Sequence, residues 1–242
     1  MPFLHNHKKP KVWWVSAYAA TKKTGLQNTV YTVSRDVYVG EWANNVYQGK
    51  GRLITNHGTK VYEGDFNNHI REGYGTYAKL AKDKISHQLY YVGEWKNNKF
   101  HGNGTKYYYN DDGTSSMYIG NFVKGKRSGY GRMWYADCSY YDGDWENDLY
   151  NGFGMFVQTN GNRYEGEFKA GLKHGKGRFY HLNVGQLQEG LWIDDMCKVS
   201  TIIIIPFRQS ALNPTEYPIP PVKLVDPEDI IKKSMEEHQK HK

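Results

Sequence analysis

The sequence predicts an all-β chain, an elongated single-layer antiparallel sheet of tandem β-hairpins followed by a short C-terminal helix. Three observations carry that prediction. All eight prolines of the 242 residues lie outside residues 11 to 205, while all 26 glycines lie between Gly25 and Gly190. Proline cannot donate to a sheet ladder, so a long proline-free stretch suits one continuous sheet. The glycines recur in register, as Tyr-x-Gly-x-(Trp or Phe), six residues, then Gly-x-Gly. A pair of turn-forming residues follows the Trp or Phe at a constant distance.

The motif occurs in six full copies. They begin Tyr38/Gly40/Trp42, Tyr62/Gly64/Phe66, Tyr91/Gly93/Trp95, Tyr118/Gly120/Phe122, Tyr141/Gly143/Trp145 and Tyr164/Gly166/Phe168, and the first closes on Gly49 and Gly51. At an average glycine usage of about 7%, three glycines at fixed offsets arise by chance in roughly 3 of 10,000 windows. An eroded copy starts at Gln188, with Gly190 and Trp192 in place, and another at Trp14, with Ser16, Tyr18 and Gly25. Degenerate terminal units are what the caps of a repeat array look like. The ribbon is therefore predicted over 14–205, with a basic arm at 1–13 before it.

Side chains at i, i+2 and i+4 of a strand share a face, so Tyr38, Gly40 and Trp42 project together. Glycine leaves a slot between the two rings that a neighbouring ring or the adjacent backbone can close, and the opposite face, with Glu63/Asp65, Asp142/Asp144 and Glu165/Glu167, reads as acidic and solvated. The pairs Asn44-Asn45, Asn68-His69, Asn97-Asn98, Lys124-Gly125, Asn147-Asp148 and Ala170-Gly171 suit two-residue hairpin turns of the primed type, which need positive φ. The longer steps between units place insertions near Ala78–His87 and Asn110–Met117.

Beyond the ribbon, prolines 206, 214, 218, 220 and 221 impose an extended path over 206–226. Asp226 as N-cap, Pro227 at the first position, and the acids Glu228 and Asp229 then predict a short helix within 227–242. Such a helix is marginal alone and needs a surface.

Composition excludes several classes. The chain is hydrophilic, with a mean hydropathy of −0.80, and its longest aliphatic run, Ile202 to Ile205, is far short of the roughly 20 residues of a spanning helix. The N-terminus carries no apolar stretch of a secretory signal, and two cysteines, Cys138 and Cys197, make neither a disulfide framework nor a four-cysteine zinc site. A reducing, intracellular setting is expected, with both thiols as small packing residues. Residues 1–35 hold six cations and no acid, which leaves the rest of the chain at +1 of a total of +7. The basic stripe of a nucleic-acid binder is missing.

The Gly-x-Gly pairs never extend to G-x-G-x-x-G and no GK[ST] follows them, so they are read as structural. The ten histidines are scattered, and neither a G-x-S-x-G elbow nor an HExxH occurs. No catalytic residue, metal site, cofactor or small-molecule substrate is expected. The aromatic face has two readings that stay open: core lining, or a groove for a partner.

The motif resembles the MORN repeat over roughly residues 14 to 200, and HLNVGQLQEGLWIDDMCK (181–198) and PTEYPIPPVKLVDPEDII (214–231) extend the likeness past the repeats to one member of that family. The resemblance implies a non-catalytic scaffold for protein–protein interactions in motile cilia or sperm flagella, near the axoneme and its doublet microtubules, with axonemal proteins and tubulin as partners. The partner contacts expected are the basic arm and cap, Lys8, Lys9, Lys11, Lys22 and Lys23, and the C-terminal Tyr217, Ile230 and Ile231. The alternative is a peripheral membrane adaptor that sets the N-terminal lysines on anionic lipid, at about 1 kcal/mol each near a charged surface.

Overall fold

The computed structural model describes residues 22–32, 36–55 and 57–205. Fifteen strands lie in one open antiparallel sheet, each beside the strands that precede and follow it in the chain. The outgoing strands are β2 (Val37–Ala43), β4 (Lys60–Asn67), β6 (His87–Lys96), β8 (Ser115–Val123), β10 (Tyr140–Glu146), β12 (Arg163–Lys169) and β14 (Gln186–Ile193). The return strands are β1 (Gly25–Tyr31), β3 (Val46–Thr55), β5 (Ile70–Leu80), β7 (Lys99–Tyr109), β9 (Lys126–Trp134), β11 (Leu149–Val157), β13 (Leu172–His181) and β15 (Met196–Ile204). No helix occurs among the described residues. The outgoing strand of the N-terminal cap and the expected C-terminal helix lie outside them.

Every anticipated turn pair has the required backbone. Asn44 and Asn45 sit at φ 50° and 71°, Asn147 and Asp148 at 50° and 72°, and Asp194 and Asp195 repeat the geometry in the eroded seventh unit. Consecutive turns are also tied together. The second turn residue donates its N–H to the preceding unit's return strand, as Asn98 does to Arg71 O at 3.1 Å and Asp148 to Arg127 O at 3.1 Å. The expected insertions lengthen β5 and β7 to 11 residues each, leaving compact turns at 81–86 and 110–114.

Within each unit the register slips by design. Gly40 pairs with Gly51 but Trp42 pairs with Tyr47, so Glu41 stands opposite three residues, Gln48, Gly49 and Lys50. Gly49 takes φ +67° inside this bulge, a conformation glycine adopts at little cost. The Tyr38 ring lies over Gly51, where an added Cβ would fall 2.2 Å from its hydroxyl oxygen, and that hydroxyl donates to Glu41 O at 3.0 Å where the ladder opens. The same hydroxyl bond recurs from Tyr62 to Asp65, Tyr91 to Glu94, Tyr118 to Asn121, Tyr141 to Asp144 and Tyr164 to Glu167.

Of the two closures the sequence left open for the slot at the first motif glycine, a neighbouring ring or the adjacent backbone, the structure has the backbone. No neighbouring ring enters it. Gly64, Gly93, Gly120, Gly143 and Gly166 pair with Gly75, Gly104, Gly131, Gly154 and Gly177, as Gly40 does with Gly51. A Cβ added at Gly64, Gly93 or Gly120 would stand 2.5 Å from the facing glycine's Cα, at Gly143 2.4 Å and at Gly166 2.6 Å. The unit's own tyrosine hydroxyl oxygen lies 2.5 to 2.8 Å from the same point in all six units. Two glycines meet back to back under one tyrosine, so each position excludes a side chain by close backbone approach.

The acidic face is less free than its composition suggests. The carboxylate between the motif Gly and its ring folds over the bulge and accepts the N–H that follows the first glycine of the Gly-x-Gly pair: Asp65 from Tyr74 at 2.9 Å and Glu94 from Asn103 at 2.9 Å. Burial pushes the Asp65 carboxyl up, but Lys50 and that N–H outweigh it and hold the group below the usual range.

The core is a single row of rings. Tyr38, Tyr91, Tyr118, Tyr141 and Tyr164 are fully buried, joined edge to face with the Trp or Phe of their own unit and of the next. The rings alternate in kind. Units bearing Trp42, Trp95 and Trp145 carry an aromatic two residues past the turn, and Tyr47, Phe100 and Tyr150 stack on the motif tyrosine at 3.9, 4.0 and 3.8 Å. Units bearing Phe66, Phe122 and Phe168 carry a cation there instead. Arg71 covers Trp95 of the following unit at 4.5 Å and Arg127 covers Trp145 at 4.1 Å, while Lys173 lies 5.7 Å from Tyr164. Two hairpins, one ring-bearing and one cation-bearing, form the true repeat.

Candidate functional site: the cation-studded aromatic face

The alternation puts positive charge on the ring face. Arg71, Lys79, Lys106, Arg127 and Lys173 all lie over rings of that face, whereas the motif acids project from the opposite one. Lys106, which stands where the other five units carry Leu53, Tyr77, Met133, Phe156 and Phe179, sits 4.6 Å from the Tyr108 ring, and burial pulls its ammonium down despite Tyr90 and Asp148.

Two arginines occupy equivalent sites with different counterparts. Arg127 gives its backbone N–H to Asp148 Oδ1 at 3.0 Å, its Nε to the same oxygen at 3.0 Å and its Nη2 to Asp148 O at 3.0 Å. Burial pushes the Asp148 carboxyl up, but the N–H and guanidinium of Arg127 prevail and lower it. Arg71 makes the same three bonds to Asn98, at 3.0, 3.3 and 3.1 Å. Asn98 is an amide, so the Arg71 charge has no carboxylate partner among the described residues. Burial pulls its guanidinium down, with Tyr77 and Tyr62 opposing. Two open cavities of about 250 and 280 Å3 flank it, walled by Tyr77, Trp95 and Phe100 on one side and by Leu53, Lys60 and Tyr62 on the other. Neither has a carboxylate among its described lining residues.

The residues singled out in the sequence divide into three groups. The Tyr, Trp and Phe of the six motifs form the internal ring row, so for those rings the groove reading gives way to core; Tyr90, Tyr108 and Tyr135 remain only partly covered. The motif glycines, Gly40, Gly64, Gly93, Gly120, Gly143 and Gly166, with Gly49 and Gly51 of the first closing pair, lie within the sheet against facing backbone or the unit's own side chains, and none lines either cavity beside Arg71. Lys23 is engaged in the ribbon, its N–H bound to Asn45 Oδ1 at 2.7 Å and its ammonium 5.4 Å from the Trp42 ring; Lys22 also makes contacts. Lys8, Lys9, Lys11, Tyr217, Ile230 and Ile231 lie outside the described residues. Of the cysteines, Cys197 packs against the ring row, but Cys138 does not pack as expected: it is exposed, at φ 69° in a turn.

The Gly-x-Gly pairs are no phosphate cradle for a concrete reason. In five of the six units the N–H that would face a phosphate is taken by the unit's own carboxylate, as Lys176 N is by Glu167 and Lys50 N by Glu41, and in the remaining unit Asn121 stands at that position. Sequence reasoning missed this role of the acids, and it missed the Arg71 site, whose signal was the Asn98/Asp148 difference between equivalent turns. Among the described residues no three His, Cys, Asp or Glu side chains converge as metal ligands.

The family description "MORN repeat" matches six segments, residues 38–59, 62–78, 91–113, 118–137, 141–163 and 164–181. MORN repeat-containing protein 3 of Xenopus laevis is 41% identical over 236 residues, spanning 98% of this chain and 97% of its own. The Bos taurus protein of that name is 41% identical over 63 residues, 26% of each chain, and Alsin of Rattus norvegicus is 28% identical over 51% of this chain and 8% of Alsin.

Proposed function

This chain belongs to the MORN-repeat family, and we propose that it is a non-catalytic scaffold of a ciliary or sperm-flagellar axoneme, holding protein partners at a fixed spacing on doublet microtubules. Repeats of this family are protein-interaction modules. The observation that carries the scaffold reading is the self-sufficiency of the unit: the motif tyrosine hydroxyl of all six hairpins, the motif carboxylate of five of them and the turn N–H groups are engaged by that hairpin or its neighbour. What remains for partners is the sheet's faces and the terminal segments.

Fourteen strand spacings of about 4.8 Å make a spacer of about 65–70 Å along the sheet. The axonemal setting and tubulin as a partner rest on the family likeness, and the net +6 of residues 1–35 suits an acidic surface such as tubulin's. Deleting residues 1–13 or 206–242 is expected to leave the β circular dichroism and melting intact while abolishing incorporation into axonemes isolated from ciliated cells or sperm. A chain absent from those axonemes in the first place refutes the setting.

A further inference from the structure

We propose that Arg71 is the anchor of a docking site on the ring face for an acidic segment of a partner protein, one that presents a carboxylate beside a large apolar side chain. The inference rests on the ribbon being a protein-interaction platform and not on its cellular setting. The strongest support is internal. At the equivalent position two units on, Asp148 supplies the carboxylate that Arg127 lacks elsewhere, through the same three hydrogen bonds that Asn98 makes to Arg71. The fold therefore accommodates an acid at this turn, and the Arg71 unit goes without one.

The guanidinium is pinned and half-covered, yet it keeps donors free: its Nη1 makes no hydrogen bond to any described residue. A pre-organised guanidinium fork recognises a carboxylate well, since little side-chain freedom is lost on binding. The flanking cavities set the rest of the ligand's chemistry. Their partly covered walls are Tyr77 and Phe100 on one side and Leu53 on the other, backed by the buried rings of Trp95 and Tyr62, and such surfaces favour an aliphatic or aromatic side chain over water. Lys60 and Lys99 at the rims extend the positive field that steers an acidic chain in. A bare phosphate matches the charge but leaves those walls uncovered.

The test uses the full chain and a random 12-residue peptide library, with the enriched peptides then measured by fluorescence polarisation. Expected is enrichment of Asp or Glu within two residues of a large apolar side chain. Asn98→Asp gives the site its own carboxylate, as Asp148 does for Arg127, and is expected to weaken binding of the selected peptides at least tenfold while leaving circular dichroism and melting unchanged. Lys50→Gln, on the opposite face, is expected to leave affinity unaltered. Enrichment without acids, no enrichment at all, or affinity indifferent to Asn98→Asp overturns the proposal. So does displacement by inorganic phosphate as effective as by peptide, which reduces the site to an anion hole. Tighter binding of a synthetic peptide of residues 224–233 than of any selected sequence also overturns it, because that result assigns the site to the chain's own acidic segment.

Discussion

The tyrosine hydroxyl that crosses each bulge is the most exacting claim of the fold, and Tyr141→Phe isolates it. Tyr141 is fully buried, its hydroxyl donates to Asp144 O at 2.9 Å, and the ring lies against Gly154, where an added Cβ would stand 2.3 Å from Oη and 2.6 Å from Cζ. Removing the hydroxyl leaves a carbonyl without its partner in a water-poor place, a loss of about 1–3 kcal/mol. For a domain of this size that lowers Tm by about 2–12 °C. Gly154→Ala acts on the same contact from the other side. The backbone at Gly154 lies outside the left-handed region, so the cost is purely steric, about 1–3 kcal/mol of overpacking. A ring pushed aside by that methyl also gives up its hydroxyl bond, so the two changes are not independent. The double variant is expected to be at least 0.5 kcal/mol more stable than the sum of the single losses. Urea titrations followed by far-ultraviolet circular dichroism measure all four chains, with Tyr74→Phe on the exposed face as a control expected within about 0.5 kcal/mol of the parent. If Tyr141→Phe matches that control, or if the cycle is additive, the hydroxyl does not hold the bulge and the reasoning fails.

Burial, then Tyr47 and Glu41, pushes Tyr38 up to about 12, and burial followed by Glu167 and Asp195 does the same to Tyr164. A pKa raised on folding gives stability that is present below the unfolded value of about 10 and is lost as pH rises toward the folded one; cooperative loss of β dichroism between pH 10 and 12, coincident with tyrosinate absorbance, is expected. Ala170 holds φ +51° with a Cβ, so Ala170→Gly is expected to stabilise by about 0.5–1 kcal/mol, read as a rise in the urea midpoint. Glu94→Ala removes the acceptor of Asn103 N–H and is expected to cost about 1 kcal/mol and to speed hydrogen exchange at that amide, with Glu94→Gln restoring most of the protection.

Much of this architecture was open to reading because its determinants are local. Tyr-x-Gly-x-Trp alternation fixes a face, and Asn-Asn or Gly at a two-residue turn fixes a hairpin. The bulge is written in the spacing but shows only once the pairing is known. A plain ladder from the Asn44-Asn45 turn pairs Gly40 with Gly49, while the structure pairs it with Gly51, and the two-residue surplus is what calls for Tyr38 and Glu41 to cover it. The sequence offered the adjacent backbone as one closure of the slot at Gly64 or Gly143, and only the slipped register shows that the facing glycines are Gly75 and Gly154. The Arg71 site escaped for a different reason. Its meaning lies in a comparison between turns about 50 residues apart, and Asn98 and Asp148 look equally suitable as turn formers until their shared partner position is seen. The terminal contacts depend on segments outside the described residues.

The alternation of ring-bearing and cation-bearing hairpins gives the ribbon a parity. Excising one hairpin, for instance residues 118–140, would set Phe100 where Arg127 belongs, and would strip both the cover from Trp145 and the counter-charge from Asp148. Excising or duplicating two hairpins leaves every neighbour of the right kind. Such a spacer lengthens or shortens in steps of about 19 Å, four strand spacings, and not by single repeats, so any ruler built on this pattern has graduations twice as coarse as its motif count suggests.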